Sequence, residues 1–136
     1  MSWKTYPLPE LAELSLGKML DQRKNRGVLM PHLSNLNVRW GEIELSGLRQ
    51  MRFEEHELER FGLRYGDIVM CEGGEPGRCA IWLKQENGPM LQKALHRIRP
   101  RKWVHPQYLF YNLFHQGRSG MFNRLFTGAT ILHMPA

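Results

Sequence analysis

The stretch from Gly66 to Trp82 constrains the fold of this chain more than any other segment. A short apolar run, Ile68 to Cys71, enters a loop that contains three glycines and a proline, and a second apolar run, Cys79 to Trp82, leaves it. Two apolar runs of strand length joined by a turn-rich loop predict a hairpin or a strand–loop–strand corner. Glycine permits positive φ and close backbone approach, so the loop is either an ordinary turn or a contact with a ligand or nucleic acid.

Length and composition predict one globular domain. The chain has 136 residues, of which 42% are hydrophobic and 24% charged, enough for a core that needs no disulfide or metal. Cys71 and Cys79 lie in strand-like runs and are predicted to be buried free thiols. No apolar run reaches the roughly 18–20 residues of a membrane span, and the N-terminus lacks the features of a signal peptide. We therefore expect a cytoplasmic protein with no membrane partner and no cofactor.

Charge is distributed unevenly along the chain. Residues 1–86 contain 12 Lys and Arg against 13 Asp and Glu, whereas residues 87–136 contain seven Lys and Arg and no acidic residue. Four of the six histidines also lie in the second segment. A basic segment without counter-charge predicts a local positive field suited to a polyanion, although a solvated strand end is the alternative for any single cluster.

Helix and strand signals alternate along the chain. Apolar spacing with glycine or proline at the boundaries predicts helices over 9–16, 54–61 and 106–116, with a further short helix after Ser119. Apolar runs predict strands over 28–38, 42–45, 68–71, 79–82, 90–99 and 131–134. Asn87-Gly88 is a strong hairpin signal.

The residue patterns that catalysis requires are missing from the sequence. There is no lysine-bearing phosphate loop and no G-x-S-x-G elbow, and the histidines occur singly. The acidic run from Glu54 to Glu59 is predicted to be the solvated face of a helix and not a metal site. We therefore expect no catalysis by this chain.

Five segments occur in a characteristic order and spacing: Asn37–Leu45, Glu57–Ile68, Glu72–Trp82, Gln92–Pro100 and Thr127–His133. Together they resemble a target recognition domain of the specificity subunit of Type I restriction–modification enzymes. The similarity extends from about Trp3 to the last residue, and it depends on the ordered set because no single motif is decisive.

The resemblance implies both a fold and a function. It implies an α+β fold with a curved, partly barrel-like mixed sheet and several short helices packed on it. Such a domain reads one half of a split target in double-stranded DNA and docks onto a methyltransferase subunit that modifies adenine. Relatives continue into a proline-containing segment and a long spacer helix, whereas this chain ends at Ala136. We therefore expect residues 1–136 to form a single module with no second domain or spacer helix.

Two sets of residues are predicted to contact DNA, because Lys and Arg contact phosphates while Arg, Asn and Gln are suited to base edges. The predicted phosphate contacts are Arg23, Lys24, Arg26, Arg99, Arg101, Lys102, Arg118 and Arg124. The predicted base or loop contacts are Asn37, Arg39, Arg78 and Thr130. Support of loops is the alternative role for Arg78 and Asn37, and the core is the alternative location for Trp40 and Trp82.

Two other functions fit the sequence. A truncated specificity-subunit-like protein would act through protein contacts with methyltransferase or specificity subunits, using the aromatic segments 108–114 and 121–126 as an interface. An RNA-binding or general polyanion-binding protein would show sharp salt dependence with little sequence preference.

Overall fold

The computed structural model describes residues 3–19, 21, 23–72, 77–118 and 131–135, with residues 3–5 and 131–135 described as backbone. The strands are β1 (Trp3–Pro7), β2 (Ala12–Leu16), β3 (Val28–Leu33), β4 (Val38–Arg39), β5 (Glu42–Ile43), β6 (Arg49–Phe53), β7 (Ile68–Cys71), β8 (Cys79–Ile81), β9 (Met90–Leu91), β10 (Leu95–Pro100) and β11 (Ile131–Pro135). The helices are α1 (Leu8–Leu11), α2 (Leu58–Phe61) and α3 (Pro106–Arg118), with 3-10 turns at Asn35–Asn37 and Glu55–Glu57. None of the described helices is long and apolar enough to cross a bilayer.

Sheet topology confirms the predicted α+β class. The largest sheet is antiparallel in the order β2-β10-β7-β8, and a second sheet has the order β6-β3-β9. In that second sheet β3 pairs antiparallel with β6 and parallel with β9, so the strands are mixed as predicted. Two-stranded pairs join β1 to β11 and β4 to β5. Among the described residues these sheets do not close into a barrel.

Strand β7 lies at the centre of the core. All four of its residues are buried, which explains why its sequence is continuously apolar. Ile68 and Met70 face one cluster that includes Leu109 and Leu113 of α3. Val69 and Cys71, on the opposite side of the strand, face a second cluster around Trp82 and Leu33. The core location weighed for Trp82 is therefore confirmed.

The hairpin predicted between 68 and 82 is confirmed as the antiparallel pair β7–β8. In the described part of its loop, Gly77 has a φ of +91°. A Cβ added at Gly117 of α3 would lie 2.6 Å from the Gly77 carbonyl oxygen. The close backbone approach that the glycines permit is thus made, at this point, to the protein's own helix.

Both cysteines are buried thiols that form no disulfide, as predicted. Burial, with a smaller effect from Cys71, raises the pKa of the Cys79 thiol to about 12. Because the thiolate is the reactive form, Cys79 is a packing residue at neutral pH.

The N-terminal helix prediction is wrong beyond Leu11. Helix α1 ends there, and residues Ala12–Leu16 form β2, which pairs with β10 from Ala12↔Pro100 to Leu16↔His96. A five-residue antiparallel ladder to a strand 80 or more positions away overrides the helical spacing of the leucines. The predicted strand 28–38 is likewise interrupted, because Ser34 begins a 3-10 turn that is closed by a capping box with Asn37.

The Asn87-Gly88 hairpin prediction is also wrong. Strand β9 pairs parallel with β3 and not with β8. Gly88 instead lies against the core: its N–H donates to the Leu63 carbonyl at 2.9 Å, and an added Cβ would be 2.8 Å from the Trp82 ring. The single strand predicted over 90–99 is divided into β9 and β10 by a turn.

Helix α3 begins at Pro106, as predicted. The helix predicted after Ser119 lies outside the described residues.

Candidate nucleic-acid interface

Strand β10 holds two cations of the acid-free segment between strands that supply carboxylates. Glu13 lies opposite Arg99 on β2, and Asp67 precedes β7 on the other side. Arg97 is 3.5 Å from Glu13, and Arg99 is 2.7 Å from Asp67. Both acids come from the first half of the chain. The prediction of an unopposed positive field is therefore wrong for this strand.

Arg99 and Asp67 form a bidentate ion pair. Arg99 donates from Nε to Oδ1 of Asp67 at 2.8 Å and from Nη2 to Oδ2 at 2.7 Å. The side chains of Asp67 and Arg99 are 1% and 19% exposed, and Asp67 also accepts a bond from the Arg64 N–H at 2.8 Å. Hydrogen bonding to Asp67 raises the pKa of the Arg99 guanidinium, against the opposing effect of burial. In the structure, Arg99 thus joins the end of β10 to the start of β7.

Arg97 is more enclosed still, with 2% of its surface exposed. Its Nη1 donates to three backbone carbonyl oxygens at the end of α2. Burial, and then the neighbouring charge of Arg99, lowers the pKa of Arg97 from its usual value. Sequence reasoning missed this residue, although its spacing of two from Arg99 on one strand was a usable signal: both side chains face the same side.

An open cleft of about 520 Å³ lies beside these arginines. Arg60 and Arg64 line it together with Glu13 and Glu59, and Arg64 Nη2 is 3.0 Å from Glu59. Arg97 and Arg99 line the cleft as well, so four arginines face two glutamates and the carboxylates offset only part of its positive charge. Its polar lining also differs from the largely apolar lining of a small-molecule site.

Two predicted base or loop contacts support a loop in the structure. Asn37 accepts from the N–H and Oγ of Ser34 at 3.0 and 3.1 Å, and its Nδ2 donates to the Glu44 carbonyl at 3.1 Å. Arg78 donates from Nε to the Val38 carbonyl at 2.6 Å and from Nη2 to a carbonyl in the 3-10 turn at 2.8 Å. Asn37 is buried. In the structure, these bonds give both residues the loop-supporting role that was the sequence-based alternative to base contact.

The basic cluster before β3 has exposed side chains. Arg23, Lys24 and Arg26 are all exposed, and no described carboxylate forms an ion pair with them. Asp21 holds the turn, because its Oδ1 accepts from the backbone N–H groups of Arg23 at 3.1 Å and Lys24 at 3.3 Å. These three cations, which we call the basic loop, can therefore approach a polyanion without first breaking an ion pair within the described fold.

The other predicted contacts differ in exposure and in the groups that they touch. Arg39 and Lys102 are exposed, with Arg39 opposite Glu42 in the β4–β5 pair. Arg101 is exposed but donates to the Pro9 and Glu10 carbonyls at 2.9 and 3.2 Å. Arg118 is exposed and lies 5.4 Å from the Trp40 ring centre. Arg124 and Thr130 lie outside the described residues.

The acidic run contains a group of possible metal ligands, Glu54, His56 and Glu57, whose atoms lie within 4.8 Å of one another. Glu57 is held by two structural contacts: its carboxylate accepts from Lys18 Nζ at 2.6 Å and from the Glu54 N–H at 2.9 Å. A capping box and an ion pair therefore account for its position.

Comparison with solved structures identifies the fold. The HsdS subunit from Thermoanaerobacter tengcongensis matches with a TM-score of 0.65 and 13% identity, over 98% of this chain and 33% of that chain. A structure described under complex assembly and conformational transition of the type I R-M system gives a TM-score of 0.69 at 14% identity, over 98% and 34%. The Type-I restriction-modification system S subunit from M. genitalium gives 0.53 at 16% identity, over 99% and 32%.

The structural matches confirm, at the level of the fold, the resemblance to one target recognition domain of a Type I specificity subunit. This chain spans about a third of the length of each of the three structures. No protein-family model and no curated protein matches the sequence.

Proposed function

We propose that this chain is a non-catalytic, sequence-specific DNA-binding module that reads a half-site in duplex DNA for the methyltransferase of a Type I restriction–modification complex. The observation that supports the proposal most is the match of 98–99% of this chain to about a third of three Type I structures. The proposal implies a cytoplasmic protein whose partners are double-stranded DNA and a methyltransferase subunit. Adenine modification would belong to that partner.

The basic loop and the other exposed cations are the proposed phosphate contacts. Counterion release by such contacts supplies much of the affinity of DNA-binding proteins and makes it salt-dependent. Arg23, Lys24 and Arg26 are best suited, because no described carboxylate pairs with them. Lys102, Arg39 and Arg118 are exposed and suited to the same role, and Arg124 and Thr130 stay predictions.

Selection of bound sequences from random duplexes tests the proposal, with and without a candidate methyltransferase. We expect enrichment of one short half-site by the chain alone or in the complex. Equal binding of single and double strands with no enriched sequence would instead indicate a general polyanion-binding protein.

Salt dependence tests the basic loop. Replacing Arg23, Lys24 and Arg26 together with Gln should reduce the slope of log K against log salt by about 2.7, since each neutralised phosphate contributes about 0.9. Lys84→Gln with Lys93→Gln is the control, which removes two cations that are exposed outside the basic loop. An unchanged slope in the triple variant would remove the basic loop from the interface.

A protein–protein role is the second candidate function. Tyr111 on α3 is 63% exposed, and Trp103, just before this helix, is 61% exposed. Aromatic side chains are enriched at protein interfaces. If the Tyr111→Ser variant still binds the half-site but no longer co-purifies with the methyltransferase, the exposed side of α3 around Tyr111 contacts the protein partner.

A further inference from the structure

Strands β3 and β6 form a two-stranded ribbon with one outward face. In their antiparallel register Leu29 lies opposite Arg52, and Pro31 lies opposite Gln50. Directly opposed residues share a face, and side chains along each strand alternate between faces. These four residues are all exposed, whereas Met51 and other residues of the opposite face pack into the core. We call the four residues the ribbon face.

The ribbon face has the chemistry of a base-reading surface. Neither strand contains an acidic residue. Arginine can form a bidentate contact with guanine, glutamine can do so with adenine, and an apolar side chain can contact the thymine methyl group. One terminal nitrogen of Arg52, Nη1, donates to the Gly27 carbonyl at 2.9 Å. That bond orients the guanidinium and leaves Nε and the other terminal nitrogen for a ligand.

Ribbon dimensions fit the major groove. The groove is about 12 Å wide and admits a two-stranded ribbon, whose strands are about 4.8 Å apart. The five register pairs from Val28↔Phe53 to His32↔Arg49 extend over about 13 Å, which equals about four base-pair steps of 3.4 Å. Gln50 and Arg52 are two residues apart on one strand, so their side chains would meet positions about two base pairs apart.

The ribbon is open on one side and cationic at one end. Strand β6 is the edge of its sheet, so no further strand covers it among the described residues. The basic loop leads directly into Val28, which is itself 70% exposed. Exposed Glu54 and Glu55 follow Phe53 at the same end, and the three loop cations can offset their repulsion of phosphate.

We propose that the ribbon face enters the major groove and that Gln50 and Arg52 determine part of the recognised sequence. This inference rests on the proposed function, and it specifies which surface reads the bases. The basic loop would then contact the phosphates at the Val28 end of the ribbon.

Base discrimination by single variants tests the inference. Starting from the half-site that the unaltered chain selects, each base pair is changed in turn and affinity is measured for Gln50→Ala, Arg52→Ala and Arg52→Lys. Each alanine variant should lose about 5- to 150-fold of discrimination at one base pair, the range that 1–3 kcal/mol per bidentate contact gives. The two affected base pairs should lie about two apart.

Arg52→Lys separates charge from recognition. Lysine keeps the positive charge but not the planar fork, so this variant should retain affinity for non-specific duplex while discrimination falls. Gln85→Ala and Arg60→Ala are controls of the same residue types, both exposed and outside β3 and β6. Urea unfolding of every variant verifies that the fold is retained.

Three outcomes overturn the inference in distinguishable ways. Full discrimination in both alanine variants, with the half-site still selected, removes the ribbon from base reading but leaves the proposed function intact. Selection of no half-site by the unaltered chain, alone or with a methyltransferase, overturns both. Loss of methyltransferase binding with unchanged discrimination assigns the ribbon face to a protein partner.

Discussion

Replacing Arg99 with methionine should strongly lower the free energy of unfolding, because Arg99 is the ion-pair partner of a buried carboxylate. Methionine keeps an apolar stem of similar length but leaves Asp67, which is 1% exposed, without its bidentate partner. Removing one member of a buried ion pair costs about 3–5 kcal/mol, because the remaining charge is buried and uncompensated. The bond from the Arg64 N–H to Asp67 remains, and one such bond does not neutralise a carboxylate.

Urea unfolding followed by circular dichroism measures this loss. With a slope of about 2 kcal/mol per molar urea for a domain of this size, the midpoint should fall by about 2 M. Lys102→Met is the matched control, because Lys102 is exposed and surface substitutions usually change stability by less than about 0.5 kcal/mol.

A double variant separates the missing pair from the missing side chain. Asp67→Asn keeps an acceptor for the Arg64 N–H and removes the charge, so adding it to Arg99→Met should restore much of the lost stability. The reasoning is refuted if Arg99→Met unfolds at the same urea concentration as Lys102→Met and yet loses duplex binding. That result would make Arg99 a phosphate contact after all.

Further predictions concern a histidine, a turn and a loop. Burial, against a smaller opposing effect of Glu72, lowers the pKa of His96 below its usual 6.5. The unfolded chain therefore binds this proton more readily than the folded protein does. Stability is full above about pH 6.5 and falls as pH drops through the folded pKa. His96→Gln should flatten this loss in urea titrations at pH 7.5 and 5.5, and an unchanged pH dependence would contradict it. Gly27→Ala should lower the free energy of unfolding more than Gly47→Ala does. Both glycines have positive φ, but only at Gly27 would the added Cβ meet a backbone oxygen, at 2.1 Å. Equal urea midpoints for the two variants would contradict this prediction. Arg78→Met should lower the free energy of unfolding by about 1–3 kcal/mol, because two backbone carbonyls lose their donor. An unchanged urea midpoint would exclude the supporting role of Arg78.

Local signals in the sequence were sufficient for elements whose contacts are local. The β7–β8 hairpin follows from two apolar runs and the loop between them, and α3 follows from a proline at its first position. Long-range pairing was not readable in the same way. Leu11 and Leu14 are three residues apart, which is a helical spacing, but β10 is available to pair with Ala12–Leu16, and the ladder between these strands decides the outcome.

The same limit applies to the candidate site. Arg23, Lys24 and Arg26 were among the predicted phosphate contacts, and all three are exposed in the structure. The sequence could not separate Arg101 or Arg99 from those cations, since their partners lie 91 and 32 positions away along the chain. Only Arg78 and Asn37 had a supporting role weighed in advance.

The carboxylates that pair with the arginines of β10 also affect how a duplex would approach. A phosphate at Arg99 would have to compete with Asp67, which already provides two short hydrogen bonds and lies in a site that water barely reaches. A phosphate at the basic loop displaces only water and counterions, so the electrostatic gain is not spent on breaking an internal pair. The best-suited part of the proposed duplex surface is therefore the ribbon and the loop before it, in the part of the sequence whose net charge is close to zero. A balanced total conceals this surface, because most of the acids of that part lie outside the loop and the ribbon, and several of them pair with other cations.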